Sequence, residues 1–200
     1  MTPDEIRQQL NTKTDRINSQ RNLTPTAKQT MIARAFVEAR DALDQVKQSE
    51  TDRIGRERKQ LERKLFGSNG FSLDPNAAVS RRDAADRAAK IETAEEALRT
   101  MQRAERDGDT TLAKAIASRA ADYSGDPVWA NVVTTYVADK PSEADTLKAM
   151  QQLPDTEDAM WRMQQAMQYG IATPSELGQA SGYQVDALAE RPLDGDVSAA

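Results

Sequence analysis

The chain has no cysteine and no histidine among its 200 residues. The first absence excludes disulfides, a thiolate nucleophile and thiolate-bound metals. The second removes the commonest general base and the commonest metal ligand, so any acid–base chemistry falls mainly to carboxylates. Aromatic residues make up 4% and hydrophobic residues 38%, against 30% charged. That is too little apolar bulk for one large core, and it suits extended helices beside a small packed domain. No run approaches the ~20 apolar residues that a membrane-spanning helix needs. The first residues, MTPDEIRQQL, hold no basic stretch leading into an apolar one. No secretory signal is therefore expected, and an intracellular site of synthesis is the default expectation.

What is present is helix. Residues 24–67 read TPTAKQTMIARAFVEARDALDQVKQSETDRIGRERKQLERKLFG. Thr24 is a cap, Pro25 a good first residue, and Gly67 a stop. Ile32, Phe36, Ala39, Leu43 and Val46 follow at spacings of 4, 3, 4 and 3, a seam of two apolar positions in seven. The seam then falters at Glu50 and Arg53. Apolar residues return at Ile54, Leu61 and Leu65 in a frame displaced by four. Such a slip resembles a coiled-coil stutter, and Gly55 beside it loosens the helix by about 1 kcal/mol against alanine. A helix with so narrow a stripe needs a partner helix. That partner is either another segment of the chain, residues 3–20 or 78–106, or a second copy. Ile32, Phe36, Leu43 and Val46 are accordingly candidate partner contacts.

Upstream, Thr2, Pro3, Asp4 and Glu5 start a helix over 3–20 with sparse apolar residues Ile6, Leu10 and Ile17. Downstream, GSNGFSLDPNA (67–77) reads as a hinge. Residues 78–106 read as one alanine- and arginine-rich helix. Further helices are expected over 110–123, from Pro127 through Val137, over 142–152 and over 155–169, the last with Ala159, Met160, Met163, Ala166 and Met167 inward. The expected class is therefore all-α, a long coiled-coil-like N-terminal helix followed by a small antiparallel helical domain. The expected divisions are an arm (1–66), the hinge, the helical domain (78–170), a short helix-turn-helix-like segment (171–192) and a disordered acidic tail (193–200).

Charge is uneven along the chain. Residues 1–66 carry 14 Lys/Arg against 10 Asp/Glu, residues 67–138 carry 9 against 11, and residues 139–200 carry 4 against 11. This asymmetry can steer association but is not that of a nucleic-acid binder, which is basic overall. The basic run from Arg53 through Arg56 and Lys59 to Arg63 is a solvated helix face or a docking face for an acidic protein surface. No aromatic residue is interleaved for base stacking. The second helix of the 171–192 segment offers Gln184, Asp186, Glu190 and Arg191, a poor set for reading DNA. DGDT at 107–110 resembles the start of a calcium loop, but the twelve-residue pattern with its final glutamate is missing, and Asp109 reads as a helix cap. No catalytic, cofactor-binding or metal-binding residue is assigned. The methionine and aromatic residues from Trp129 to Tyr169 read as core, with Trp161 a candidate for an exposed partner-binding patch.

The order of parts carries a resemblance. A charged helix ending in ERKLFG, then SRRDAADRAA, then GDTTLAKAIASRAADYSGDPVWANVVTTYVADKPSEAD resembles small helical proteins encoded beside capsid genes in actinobacterial phages and prophages. The similarity spans about residues 24–150. It implies a virion-assembly or virion-structural role of scaffold type, with self-association, a capsid or other virion protein as partner, no catalysis or cofactor, and a location in the cytoplasm of a bacterial host or in the virion. Many scaffolds end in a basic coat-binding helix, whereas this chain ends acidic, so the resemblance moves coat binding to the Arg53–Lys64 face or to a Met/Trp patch. A cellular helical adaptor or regulator is the alternative.

Overall fold

A computed structural model describes residues 1–67, 75–123 and 125–193, and all regular structure among them is helical. The helices are α1 (Pro3–Ser19), α2 (Pro25–Phe66), α3 (Pro75–Ala89), α4 (Ala94–Arg106), α5 (Thr110–Ala121), α6 (Pro127–Val137), α7 (Pro141–Gln152), α8 (Ala159–Tyr169) and α9 (Gly182–Ala189), with a 3-10 turn at Ser175–Leu177. The all-α class and the long N-terminal helix are as the sequence predicts.

Start signals act locally, as their chemistry requires. The Thr2 hydroxyl accepts from the Glu5 amide at 3.3 Å, and the Glu5 carboxylate accepts from the Thr2 amide at 2.8 Å, a complete capping box. Thr24 accepts from the Ala27 amide at 3.1 Å, and Asp126 from the Val128 amide at 2.8 Å. Asp109 accepts from the Leu112 amide at 2.9 Å, and Gly108 before it holds φ +77°, a conformation glycine adopts without strain. α2 runs unbroken through Gly55 and stops at Phe66. A Cβ at Gly67 would lie 2.1 Å from the Arg63 carbonyl oxygen, so the stop requires glycine there.

The chain divides into two units, Met1–Arg53 with the chain from Asp155 on, and Ile54–Pro154. This grouping differs from the arm, helical domain and terminal segment expected from sequence. Residues 155–193 join the first unit because their apolar side chains are buried with those of α1 and proximal α2. Ile6, Leu10 and Ile17 of α1, Ile32, Phe36, Ala39 and Leu43 of α2, Tyr169, Leu177 and Val185 form one core. Side chains from α1 and α2 also hold the returning chain. Arg34 donates to the Ala189 and Arg191 carbonyls at 2.8 and 2.7 Å, Arg40 pairs with Asp186 at 2.9 Å, and Asn18 donates to Glu176 at 2.6 Å.

In the second unit, α5 packs against α3, α4 and α6. Its Leu112, Ala113, Ile116, Ala117 and Ala120 are all buried, and the many alanines around it let helix axes approach closely. Leu65 from distal α2 and Trp129, Val132, Val133, Tyr136 and Val137 from α6 complete this core. The frame slip after Val46 therefore has a different cause from a stutter. Each half of α2 keeps the apolar frame of the core it serves.

Three expectations need correction. Residues 78–106 are two helices, α3 and α4, because the Thr93 hydroxyl accepts from the Glu96 amide at 3.2 Å and starts a new helix there. The helix expected from 155 begins at Ala159, because Asp158 rather than Pro154 sets its start, accepting from the Trp161 amide at 2.9 Å. α3 already begins at Pro75, and residues 68–74 of the expected hinge, like the acidic tail beyond residue 193, lie outside the described residues.

Leu43 is 1% exposed at the centre of the first core. Leu43→Ala is expected to cost about 2–5 kcal/mol, the usual range for a buried leucine, read by chemical denaturation. The mass at low micromolar concentration should stay unchanged. A loss below ~0.5 kcal/mol, typical of surface positions, would contradict this packing.

Candidate protein-interaction surface

α8 has two faces, and the chain buries the less apolar one. Trp161, Gln165 and Tyr169, four apart, turn inward, with Trp161 half-buried and Gln165 and Tyr169 only 5% and 6% exposed. Met160, Met163 and Met167 turn outward, 58%, 52% and 75% exposed. The Gln165 Oε1 atom is buried with no hydrogen-bond partner among the described residues. The inward expectation for Met160, Met163 and Met167 is thus reversed.

The reversal has its physical cause at the C-terminal end of the helix. Asp158 fixes where the helix starts, through a bond to its own Trp161 amide that leaves the facing open. At the other end the Tyr169 hydroxyl donates to the Glu50 carboxylate, which sits on the α2 seam where apolar residues give out. Arg7 of α1 then donates to the Gly170 carbonyl at 2.9 and 3.2 Å and to that of Gln168. A cation at these final carbonyls also opposes the negative end of the helix. The outward face is left almost without charge, since Arg162 is the only charged residue in the eleven of α8. Acidic residues gather just before it, at Asp155, Glu157 and Asp158.

The other candidates fall elsewhere. Ile32, Phe36 and Leu43 are 0%, 6% and 1% exposed. They belong to the chain's own core, with Val46 half-buried against it, and are corrected as partner contacts because α1 and the returning chain cover them. Arg53, Arg56, Lys59 and Arg63 are exposed along α2, and the Arg63 Nε donates to the Lys59 carbonyl at 3.2 Å. Asp52 beside this run accepts from Gln48 at 2.9 Å. Trp161 is half-buried on the inward side of α8, so the exposed patch is made by the methionines beside it.

The second unit has a groove of about 910 Å³ between α3 and α5, floored by alanines and reached by Arg81, Lys114, Arg119 and Lys140. Three of these cations hold the walls. Lys114 donates to the Gly67 carbonyl at 2.5 Å, Lys140 pairs with Glu105 at 2.7 Å, and Arg119 donates to the Ile91 carbonyl at 3.4 Å. Among the described residues, no three acidic side chains are grouped to hold a metal ion, and no helix is long and apolar enough to cross a membrane. Comparison with protein-family models, curated proteins and solved structures finds no match to this chain.

The Tyr169–Glu50 bond has a pH signature. The hydrogen bond, then burial, then the Glu50 charge raise the Tyr169 pKa above the ordinary value of 10.0. The fold favours the neutral hydroxyl, so this contribution is fully present below about pH 10 and is lost as pH rises through the raised pKa. Tyr169→Phe should be less stable than the parent at neutral pH. The gap should narrow in denaturation midpoints as pH rises from about 10 through the raised Tyr169 pKa, and a gap that stays constant over that rise would contradict the bond.

Proposed function

We propose that this chain is a non-enzymatic assembly protein of the virion-scaffold type, acting through helix–helix and protein–protein contacts, with self-association and with a capsid or other virion protein as partner. The observation that carries this reading is the outward methionine stripe of α8. Burying a methionine side chain is worth about 1.5–3 kcal/mol, so a fold that turns three of them out while burying Gln165 forgoes stability that a partner can restore. The composition of α8 fits the same role. Methionine and tryptophan are enriched, and lysine, aspartate and glutamate depleted, in interface cores. The flexible thioether also adapts to surfaces that change during assembly.

The virion part of the reading is supported by the succession of segments over about residues 24–150 that resembles phage proteins encoded beside capsid genes. The lack of both histidine and cysteine favours a binding role over a catalytic one. The exposed basic run from Arg53 through Arg56 and Lys59 to Arg63 supplies a second contact, suited to an acidic coat surface. Two modest contacts per copy, repeated over many copies, give avidity without any single tight interface.

The test is co-expression with the capsid protein encoded nearest its gene, followed by sedimentation and electron microscopy. Uniform closed shells that need the chain, and that fail with a Met160→Glu/Met167→Glu variant of unchanged helicity, are expected. Shells that form equally well without the chain would overturn the virion reading. Finding no capsid gene beside its own would move the function to a cellular helical adaptor using the same stripe.

A further inference from the structure

We infer that the outward face of α8 docks on the same face of a second copy of this chain, antiparallel, about a two-fold axis at Met163. The inference rests on the reading of α8 as a docking surface and names its partner.

The stripe is close to self-complementary. Met160 and Met167 lie three and four residues on either side of Met163. Antiparallel pairing therefore sets Met163 against Met163 and each Met160 against the partner's Met167. Charge points the same way. With Arg162 as its only charge, α8 has little field with which to select a charged partner. Elsewhere among the described residues, the large exposed apolar side chains, such as Val79, Val128 and Tyr183, do not form a comparable helical stripe. The best-matched surface the chain offers to α8 is α8 itself.

Charge also sets the direction. Parallel pairing would bring the Asp155, Glu157 and Asp158 groups of both copies together. Antiparallel pairing separates them by the length of the helix, about 16 Å for eleven residues, which exceeds the ~8 Å screening length at physiological salt. Arg7 at the α8 C-terminus adds no attraction for these groups, since it is already held by Asp4 at 2.8 Å and by the Gly170 carbonyl, so the direction follows from the like charges that antiparallel pairing keeps apart. One helix pair of this length buries less than the ~1,200 Å² of a stable interface, so the dimer is weak and reversible, with a dissociation constant of about 10 μM to 1 mM. Weak pairing suits assembly by repeated contacts.

The native lack of cysteine allows a direct test on the full chain. Met163→Cys, Met167→Cys, Met160→Cys and a control, Val128→Cys, are oxidised with copper–phenanthroline at about 100 μM, within the expected binding range. Met163→Cys should form disulfide dimers at least ten-fold faster than Val128→Cys. Met167→Cys alone should not, because two-fold pairing separates its copies by about 12 Å, beyond disulfide reach. A mixture of Met160→Cys and Met167→Cys should cross-link. Sedimentation should show the parent chain passing from monomer to dimer over this range, and Met163→Glu remaining monomeric with unchanged circular dichroism.

A parent that stays monomeric throughout, or Met163→Cys no faster than the control, overturns the inference. If Met163→Glu still abolishes shell assembly in that case, the assembly reading stands and the stripe binds coat instead. If the disulfide pattern appears but shells form without the chain, self-docking stands and the assembly reading falls.

Discussion

Helix α2 spans 42 residues with only about two apolar positions in seven through its first half. A helix that long and that polar is held by what covers its narrow stripe, since propensity alone leaves isolated helices marginal in water. The chain covers it in two ways. Up to Arg53 the cover comes from α1 and from the returning residues around Tyr169, Leu177 and Val185. From Ile54 on, Leu65 joins the core built around α5. Everything else in the molecule follows from meeting that need twice with few bulky side chains. Small residues let α5 sit close to three neighbours, and arginines at positions 7, 34 and 40 of α1 and α2 reach carbonyls and carboxylates of the returning chain.

The same constraint explains α8. Its inward face is chosen by what the first unit offers it, namely the Glu50 carboxylate for Tyr169 and the Arg7 guanidinium for the terminal carbonyls. Polar anchoring at the C-terminal end outweighs the greater apolar content of the opposite face. The methionines are consequently left outward, on a surface with one charge. A surface of that kind gains free energy from a partner of similar character and little from a charged one, which is why helix–helix association is the function proposed for it.

Much of the fold was legible because caps are local. Thr2, Thr24, Asp109 and Asp126 each announce a helix start within three residues, and the seam from Ile32 to Val46 follows one period. The split at Thr93 was legible too, in the Thr93-Glu96 spacing of a capping pair, but the alanine-rich sequence on both sides hid it. The return of residues 155–193 to α1 and α2 was not legible, because long-range pairing leaves no periodic mark. Nor was the facing of α8. Met160, Met163 and Met167 on one side, and Trp161, Gln165 and Tyr169 on the other, are both valid helical stripes, and only contacts with Glu50 and Arg7 decide between them. The sequence offers the α2 seam, the Arg53–Arg63 run and Trp161 as candidate contacts, and spacing alone does not reveal that the seam is covered within the first unit or that Trp161 is half-buried.

The outward facing of α8 is the claim on which the functional account stands, and methionine reactivity reads it directly. Peptide-resolved oxidation by dilute hydrogen peroxide at about 1 μM protein, below the expected self-association range, compares Met160, Met163 and Met167 with Met101, which is 0% exposed. The account expects the three α8 methionines to oxidise at nearly the rate of free methionine, and Met101 at least ten-fold more slowly. Protection of all three to the level of Met101 would place them in the interior and contradict the account.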